Sequence, residues 1–222
     1  MFYKFPRTPI LALHKNQSFN NEHILSASEV ANFLKNEITI EEKIDGANLG
    51  ISFDCNGNMK FQNRGEYLMP PMYSQWRFLP QWARSHEDTL FDVLEDRHIL
   101  FGEWCFAKHS IYYDHLPDYF IAFDVFDTKE QKFFSVQRRN ALLQKADLTI
   151  VPQIGYGRFD MEDLLAMESI SSYGDEMSEG IYLRCDSGNW LQCRAKIVRA
   201  DFSQSIEVHW SKKTMEVNRL QY

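Results

Sequence analysis

The spacing of apolar residues along the chain switches between two periods. Residues 38–43, and then Leu49, Ile51 and Phe53, repeat at every second position, as strands do. Asn56-Gly57 gives a tight-turn signal, and residues 59–62 return as the other arm of a hairpin. Residues 98–105 and 119–126 are runs of buried-strand character, and 179–185 and 190–197 form a further strand pair around Asp186-Ser187-Gly188-Asn189. Elsewhere the spacing is helical. Ser26-Ala27-Ser28-Glu29 is a capping box followed by Val30, Phe33 and Leu34. Pro80 opens a stretch with Trp82, Leu90, Phe91 and Leu94 on its apolar side. Residues 136–146 and 161–167 also read as helices, the second with Asp160 as its cap. Hairpins beside scattered helices predict an α+β fold built on antiparallel β-sheets. No repeat, low-complexity tract or Gly/Ser/Pro-rich linker divides the 222 residues, so one domain over 1–222 is expected.

Composition narrows the setting. At 44% hydrophobic and 14% aromatic residues the chain has material for a substantial core. Its net charge of -7, from 24 basic and 31 acidic residues, means that a phosphodiester backbone would have to be held by locally gathered Lys and Arg. The opening residues lack the apolar region of a secretion signal, and no run approaches the roughly 18 apolar residues of a membrane span. Cys55, Cys105, Cys185 and Cys193 form no CxxC and read as reduced, buried thiols. These features together predict a cytoplasmic protein without a membrane partner.

The candidate chemistry begins with Lys43-Ile44-Asp45-Gly46, at the end of a predicted strand and directly after Glu41 and Glu42. Taken alone, the tetrapeptide also describes a strand-end lysine paired to Glu41 ahead of an Asp-Gly turn. A free lysine amine is protonated at neutral pH, so as a nucleophile it needs desolvation or nearby cations to favour its neutral form. Further along, Phe101-Gly102-Glu103-Trp104 puts a carboxylate in an apolar strand, Phe123-Asp124 ends an aromatic one, and Glu179-Gly180 opens a third. In the last strand Gln192, Arg194 and Lys196 share one face, while Leu191, Cys193, Ala195 and Ile197 share the other, so two cations are presented together.

In this order the segments resemble the covalent nucleotidyltransferase superfamily of ATP-dependent ligases and mRNA capping enzymes, and within it the RNA ligase 2-like branch. Lys43 to Asn48 is similar to the nucleotidyl-lysine motif, Arg64-Gly65 to the short motif after the first hairpin, and Gly102-Glu103 and Phe123-Asp124 to the next two. Glu179-Gly180 and Arg194-x-Lys196 resemble the last two, although Arg194 stands where Lys is usual. Tyr3-x-Phe5-Pro6-Arg7-Thr8-Pro9 resembles the opening of some bacterial members, and the likeness runs to about residue 202.

The resemblance implies a single nucleotidyltransferase domain without an appended C-terminal domain, its antiparallel sheets flanked by helices and its nucleotide pocket between them. It implies an ATP-dependent RNA ligase that uses Mg2+ or Mn2+ and forms a lysyl-AMP intermediate on Lys43. On this likeness Lys196 and Arg194 hold the phosphates, and Glu179 and Glu103 hold the metal through its waters, with ribose as the alternative partner of Glu103. Phe123 stacks on adenine, with Phe120 as the alternative. Glu42 helps to recognise adenine, Arg64 contacts ribose or phosphate, and Asn48 acts on the nucleic-acid end. The partner implied is RNA in a nicked duplex or with ends held by a partner protein, because Lys212, Lys213 and Arg219 are the only basic patch after the last motif. An ATP-dependent DNA ligase and a non-catalytic nucleotide- or RNA-binding module are the alternative readings.

Overall fold

The capping box at residue 26 forms as the sequence predicts. The Ser26 hydroxyl accepts from the Glu29 amide, the Glu29 carboxylate accepts from the Ser26 amide, and helix α1 runs Ala27–Phe33. The structure is a computed structural model that describes residues 2–13, 22–167, 169–200, 202 and 215–222; Lys212 and Lys213 lie outside the described residues. Its strands are β1 Ile38–Lys43, β2 Ala47–Phe53, β3 Met59–Gln62, β4 His98–Trp104, β5 Phe120–Asp127, β6 Lys132–Phe133, β7 Gln153–Gly157, β8 Gly180–Ser187 and β9 Trp190–Val198. Its remaining α-helices are α2 Leu79–Leu94, α3 Val136–Leu143 and α4 Met161–Leu165. The strands build two sheets in the orders β7-β1-β8-β9 and β3-β2-β4-β5-β6, with every strand pair antiparallel. The α+β expectation holds.

Three local differences have plain causes. Strand β6 is two residues long, and β7 is a mostly exposed edge strand with two glycines, so neither leaves an apolar signature. The helix expected over 136–146 ends at Leu143 and tightens into a 3-10 turn at Gln144–Ala146. Phe91, expected on the buried side of α2, is 43% exposed and meets Phe53 edge-on at 5.1 Å between ring centroids.

Each sheet has a helix-covered outer face. Ile38, Ile40, Leu183 and Ile197 pack with Phe33 of α1 and Leu164 of α4, while Leu49, Ile51 and Leu100 pack with Leu79, Trp82, Leu90 and Leu94 of α2. Burial of each such side chain contributes roughly 1.5–3 kcal/mol, so the outer faces supply apolar adhesion and leave the inner faces to carry polar groups. No described helix is long and apolar enough to cross a membrane.

Candidate active site

Strand β1 delivers Lys43 to the cleft between the sheets. Its register with β8 puts Lys43 opposite Gly180, so Glu179 lies alongside and the Lys43 Nζ donates to Glu179 Oε2 at 2.7 Å. Gly180 sits at φ 154°, and a Cβ there would stand 2.1 Å from the Ile197 carbonyl oxygen, so only glycine lets β8 start at this point. The Asp45 carboxylate accepts from the Ser110 and Ile111 amides at 2.7 and 2.9 Å, and the Asp45 amide donates to the Tyr113 hydroxyl at 2.8 Å. A Cβ on Gly46 would come within 2.9 Å of the Trp104 carbonyl, so the turn is pressed onto β4. The aspartate and glycine of the tetrapeptide are thus an anchor and a close approach that fix the lysine. The pairing of Lys43 with Glu41 does not form: Glu41 instead accepts from Arg139 at 2.5 Å.

Around Lys43 opens a cavity of about 740 Å³, lined by Glu42, Lys43, Asn48, Arg64, Glu103, Phe123, Glu179 and Lys196 among others. Six separated stretches of sequence therefore converge on one cleft. Glu42 is 2% exposed and accepts from the Ser171 hydroxyl and the Ser172 amide. Asn48 sits opposite Glu103 in the β2–β4 register, and its Oδ1 is buried without a hydrogen-bond partner. Arg64 is exposed at the rim. The Lys196 ammonium donates to Glu22 Oε2 at 3.3 Å.

Phe123 reaches the cavity through a bulge. Phe101 of β4 pairs with Asp124 and Gly102 pairs with Ala122, so Phe123 is the extra residue of β5. Its carbonyl accepts from Arg139 Nη1 at 2.5 Å and Arg184 Nη1 at 3.3 Å. Phe120, the alternative stacking residue, is fully buried in the α2 core, 5.2 Å from the Trp82 ring, and does not line the cavity.

Arg194 departs from its expected place. The strand parity is right for Arg194 and Lys196, but a register shift beyond Cys193 packs Leu191 with Phe5 and Phe133 and not with Cys193, Ala195 and Ile197. The Arg194 guanidinium donates to the buried Asp124 carboxylate at 3.0 Å and to the Tyr182 hydroxyl at 3.3 Å, and lies 4.0 Å from the centre of the Phe133 ring. It is not among the residues lining the cavity. Asp124 accepts from Arg184 as well, and Arg139 and Arg184 flank Glu41, so three arginines and two carboxylates form a buried network behind the pocket.

Charge in the cleft is dominated by acids. Burial alone would push the Lys43 ammonium down, but Glu179, Glu103 and Asp45 outweigh it and hold its pKa above the ordinary lysine value. The desolvated, cation-activated amine expected from the sequence is therefore not the resting state of this cleft. Burial pushes the Glu103 carboxyl up to about 8, partly offset by Lys43 and reinforced by Glu179, and it raises Glu179 as well. Lys196 is lowered by burial and then by Lys43. Two crowded, desolvated carboxyls are hard oxygen donors whose charge a divalent cation would stabilise. Mg2+ is typically held by one or two carboxylates together with substrate phosphates and water, and this donor set fits it. Among the described residues no group of three or more His, Cys, Asp and Glu forms a metal cage of its own.

Other walls of the cavity carry no strong sequence signal. The loop residues Lys108, His109 and Ser110 line one side, positioned by Asp45, and Phe5, Arg7 and Thr8 of the N-terminal segment line another. Only the Tyr3–Pro9 resemblance marked the latter.

Solved structures share this architecture. An arginine-to-alanine mutant of Naegleria gruberi RNA ligase with ATP and Mn matches at TM-score 0.66 and 14% identity, over 93% of this chain and 58% of that one. A glutamate-to-alanine mutant of the same ligase with AMP and Mn matches at TM-score 0.61 and 15% identity, over 79% and 53%. An apo aspartate-to-alanine mutant gives 0.62 and 14%, over 81% and 54%. At such identity the likeness is one of fold, and the chain spans little more than half the length of those proteins. No curated protein sequence matches. The family model described as RNA ligase matches residues 36–198, from just ahead of Lys43 to just beyond Lys196. The chain belongs to the RNA ligase family.

Proposed function

We propose that the protein is an ATP-dependent RNA ligase that captures AMP on Lys43. The observation that carries this reading is the Lys43 amine, held at 2.7 Å from Glu179 in a cleft that also presents Lys196 and the bulged Phe123 ring. On this reading adenine stacks on Phe123, with Glu42 near its edge and Arg64 at the ribose or phosphates. The Lys43 Nζ attacks the α-phosphorus of ATP. A P–N bond forms, the bond from that phosphorus to the bridging oxygen breaks, and pyrophosphate leaves with the electron pair. On this reading the ammonium loses one proton before attack, to Glu179 Oε2 at 2.7 Å, and a second to solvent as the phosphoramidate forms. AMP then passes to a 5′-phosphate end, and a 3′-hydroxyl attacks that end and releases AMP. Asn48, whose Oδ1 is buried without a partner in the cavity, acts on the nucleic-acid end. Glu103 and Glu179 would hold Mg2+ or Mn2+ through water, where the ion supplies charge neutralisation at the phosphoryl oxygens. RNA ends held in a nicked duplex or by a partner protein suit an acidic chain of net charge -7 better than two free strands.

The test is direct. Protein mixed with ATP and Mg2+ gains the mass of one AMP, whereas GTP or NAD+ adds nothing; no gain from ATP removes the reading. Lys196→Ala is expected to slow adduct formation by about a hundredfold or more, the scale of removing one preorganised charge from a developing oxyanion. Single-turnover rates of AMP uptake check it, and a rate near wild type would show that Lys196 serves Glu22 and not the phosphates.

A further inference from the structure

The N-terminal segment crosses from one sheet to the other over the cleft. At its start the Tyr3 carbonyl accepts from Gln62 Nε2 of β3 at 2.7 Å, and the Phe5 ring packs on Phe101 and Phe123, with centroids 5.0 and 5.3 Å away. Three residues on, the segment belongs to the other sheet. The Thr8 hydroxyl lies 3.2 Å from the Tyr182 hydroxyl, the Lys196 amide donates to the Pro9 carbonyl at 2.9 Å, and the Leu11 amide donates to the Lys196 carbonyl at 2.9 Å. Arg7 lies at the crossing, exposed and lining the cavity.

The order of elements across the first sheet gives this position meaning. From Lys43 on β1 the sheet runs through β8 to Lys196 on β9 and ends on residues 9–11. That is three inter-strand steps, roughly 14 Å from the nucleophile's strand to the edge. In an in-line displacement the leaving group departs on the side of phosphorus opposite the attacking atom. With Lys196 at the α-phosphate, the next cation outward on this wall is the one that meets the leaving group. Arg194 is turned away onto Asp124 and does not line the cavity, and Lys108 belongs to the loop on another side of it, so on this wall the position falls to Arg7. An arginine fork matches two phosphate oxygens at once.

Building on the adenylylation reading above, we infer that Arg7 binds the β- and γ-phosphates of ATP and holds the pyrophosphate as it leaves. Arg7 therefore acts in AMP capture and in its reversal, and takes no part in joining an RNA end that is already adenylylated.

Pyrophosphate itself is the probe. Lysyl-AMP protein is prepared with saturating ATP and Mg2+, freed of nucleotide, and titrated with pyrophosphate while regenerated ATP is measured. In parallel the protein is given pre-adenylylated RNA. Arg7→Ala is expected to raise the half-saturating concentrations of pyrophosphate and of ATP by about tenfold or more, the scale of one lost charge-assisted hydrogen bond. Arg7→Lys falls between it and wild type, and sealing of pre-adenylylated RNA is unchanged in both. If wild type takes up no AMP, the adenylylation reading fails and Arg7's role with it. If wild type takes up AMP and Arg7→Ala matches it at every pyrophosphate concentration, the inference alone is wrong. An equal loss in both assays would assign Arg7 to RNA binding or to the fold, and likewise overturns it.

Discussion

Lys43→Ala protein is expected to fold, to take up no AMP from ATP, and still to seal RNA whose 5′ end already carries AMP. Lys43 ends β1 with its side chain 23% exposed, and the turn after it is anchored by Asp45 and Gly46, so among the described residues the ion pair lost with the amine is that with Glu179. The neighbouring acids already sit above their ordinary pKa values and can protonate when the ammonium is gone. The other lysines that line the cavity among the described residues are already held by acids, Lys196 by Glu22 and Lys108 by Glu216. Intact mass after incubation with ATP and Mg2+, and strand joining on pre-adenylylated RNA, check the two halves. An AMP adduct on the variant, or a wild-type adduct mapped to a different lysine, would sink the assignment.

Asp124→Ala is expected to lower stability by about 3–5 kcal/mol, the scale for removing one member of a buried ion pair, out of a total of roughly 5–15 kcal/mol for a typical domain. Asp124 is fully buried and accepts from two guanidiniums, those of Arg184 and Arg194. Arg184 is also fully buried, and its other acidic neighbour, Glu41, stands 4.0 Å away with that oxygen unpartnered. Removing Asp124 leaves more positive charge in the interior than Glu41 can balance. Asp124→Asn keeps the shape and one acceptor and costs less. Denaturant midpoints at constant slope measure both, and a loss below about 1 kcal/mol for the alanine variant, the scale of a surface pair, would mean that the network is not a buried one.

Side-chain periodicity made β1 and β3 legible to the residue, because apolar and polar types alternate along them: Ile38 and Ile40 with Thr39 and Glu41, Met59 and Phe61 with Lys60 and Gln62. It could not show β7, whose place is fixed by backbone bonds to β1 at an open edge. The same division holds in the site. Lys43, Glu103, Glu179 and Lys196 come together because motif order follows strand order, and a strand side chain can point only to one face or the other. Parity put Arg194 on the correct face and could not say that Asp124, seventy residues earlier, would capture it. Parity also could not choose between Phe120 and Phe123: strict alternation puts Asp124 on the face of Phe120, whereas the bulge turns it to the face of Phe123. Arg7 had no period to betray it: it lies in a segment with only isolated bridges, placed by what each end of that segment packs against.

The bulge carries a consequence for sequence drift in this chain. Over the span facing Phe101 and Gly102, β5 holds one residue more than its partner. Deleting any single residue from Ala122 to Asp124 would remove the bulge and restore strict alternation. Either the aromatic ring would leave the cleft or Asp124 would turn away from its arginines. Substitution can be absorbed at these positions by similar shapes, but a change of length cannot. Natural variation along this strand should therefore consist of exchanged residues, while insertions and deletions collect in the loops.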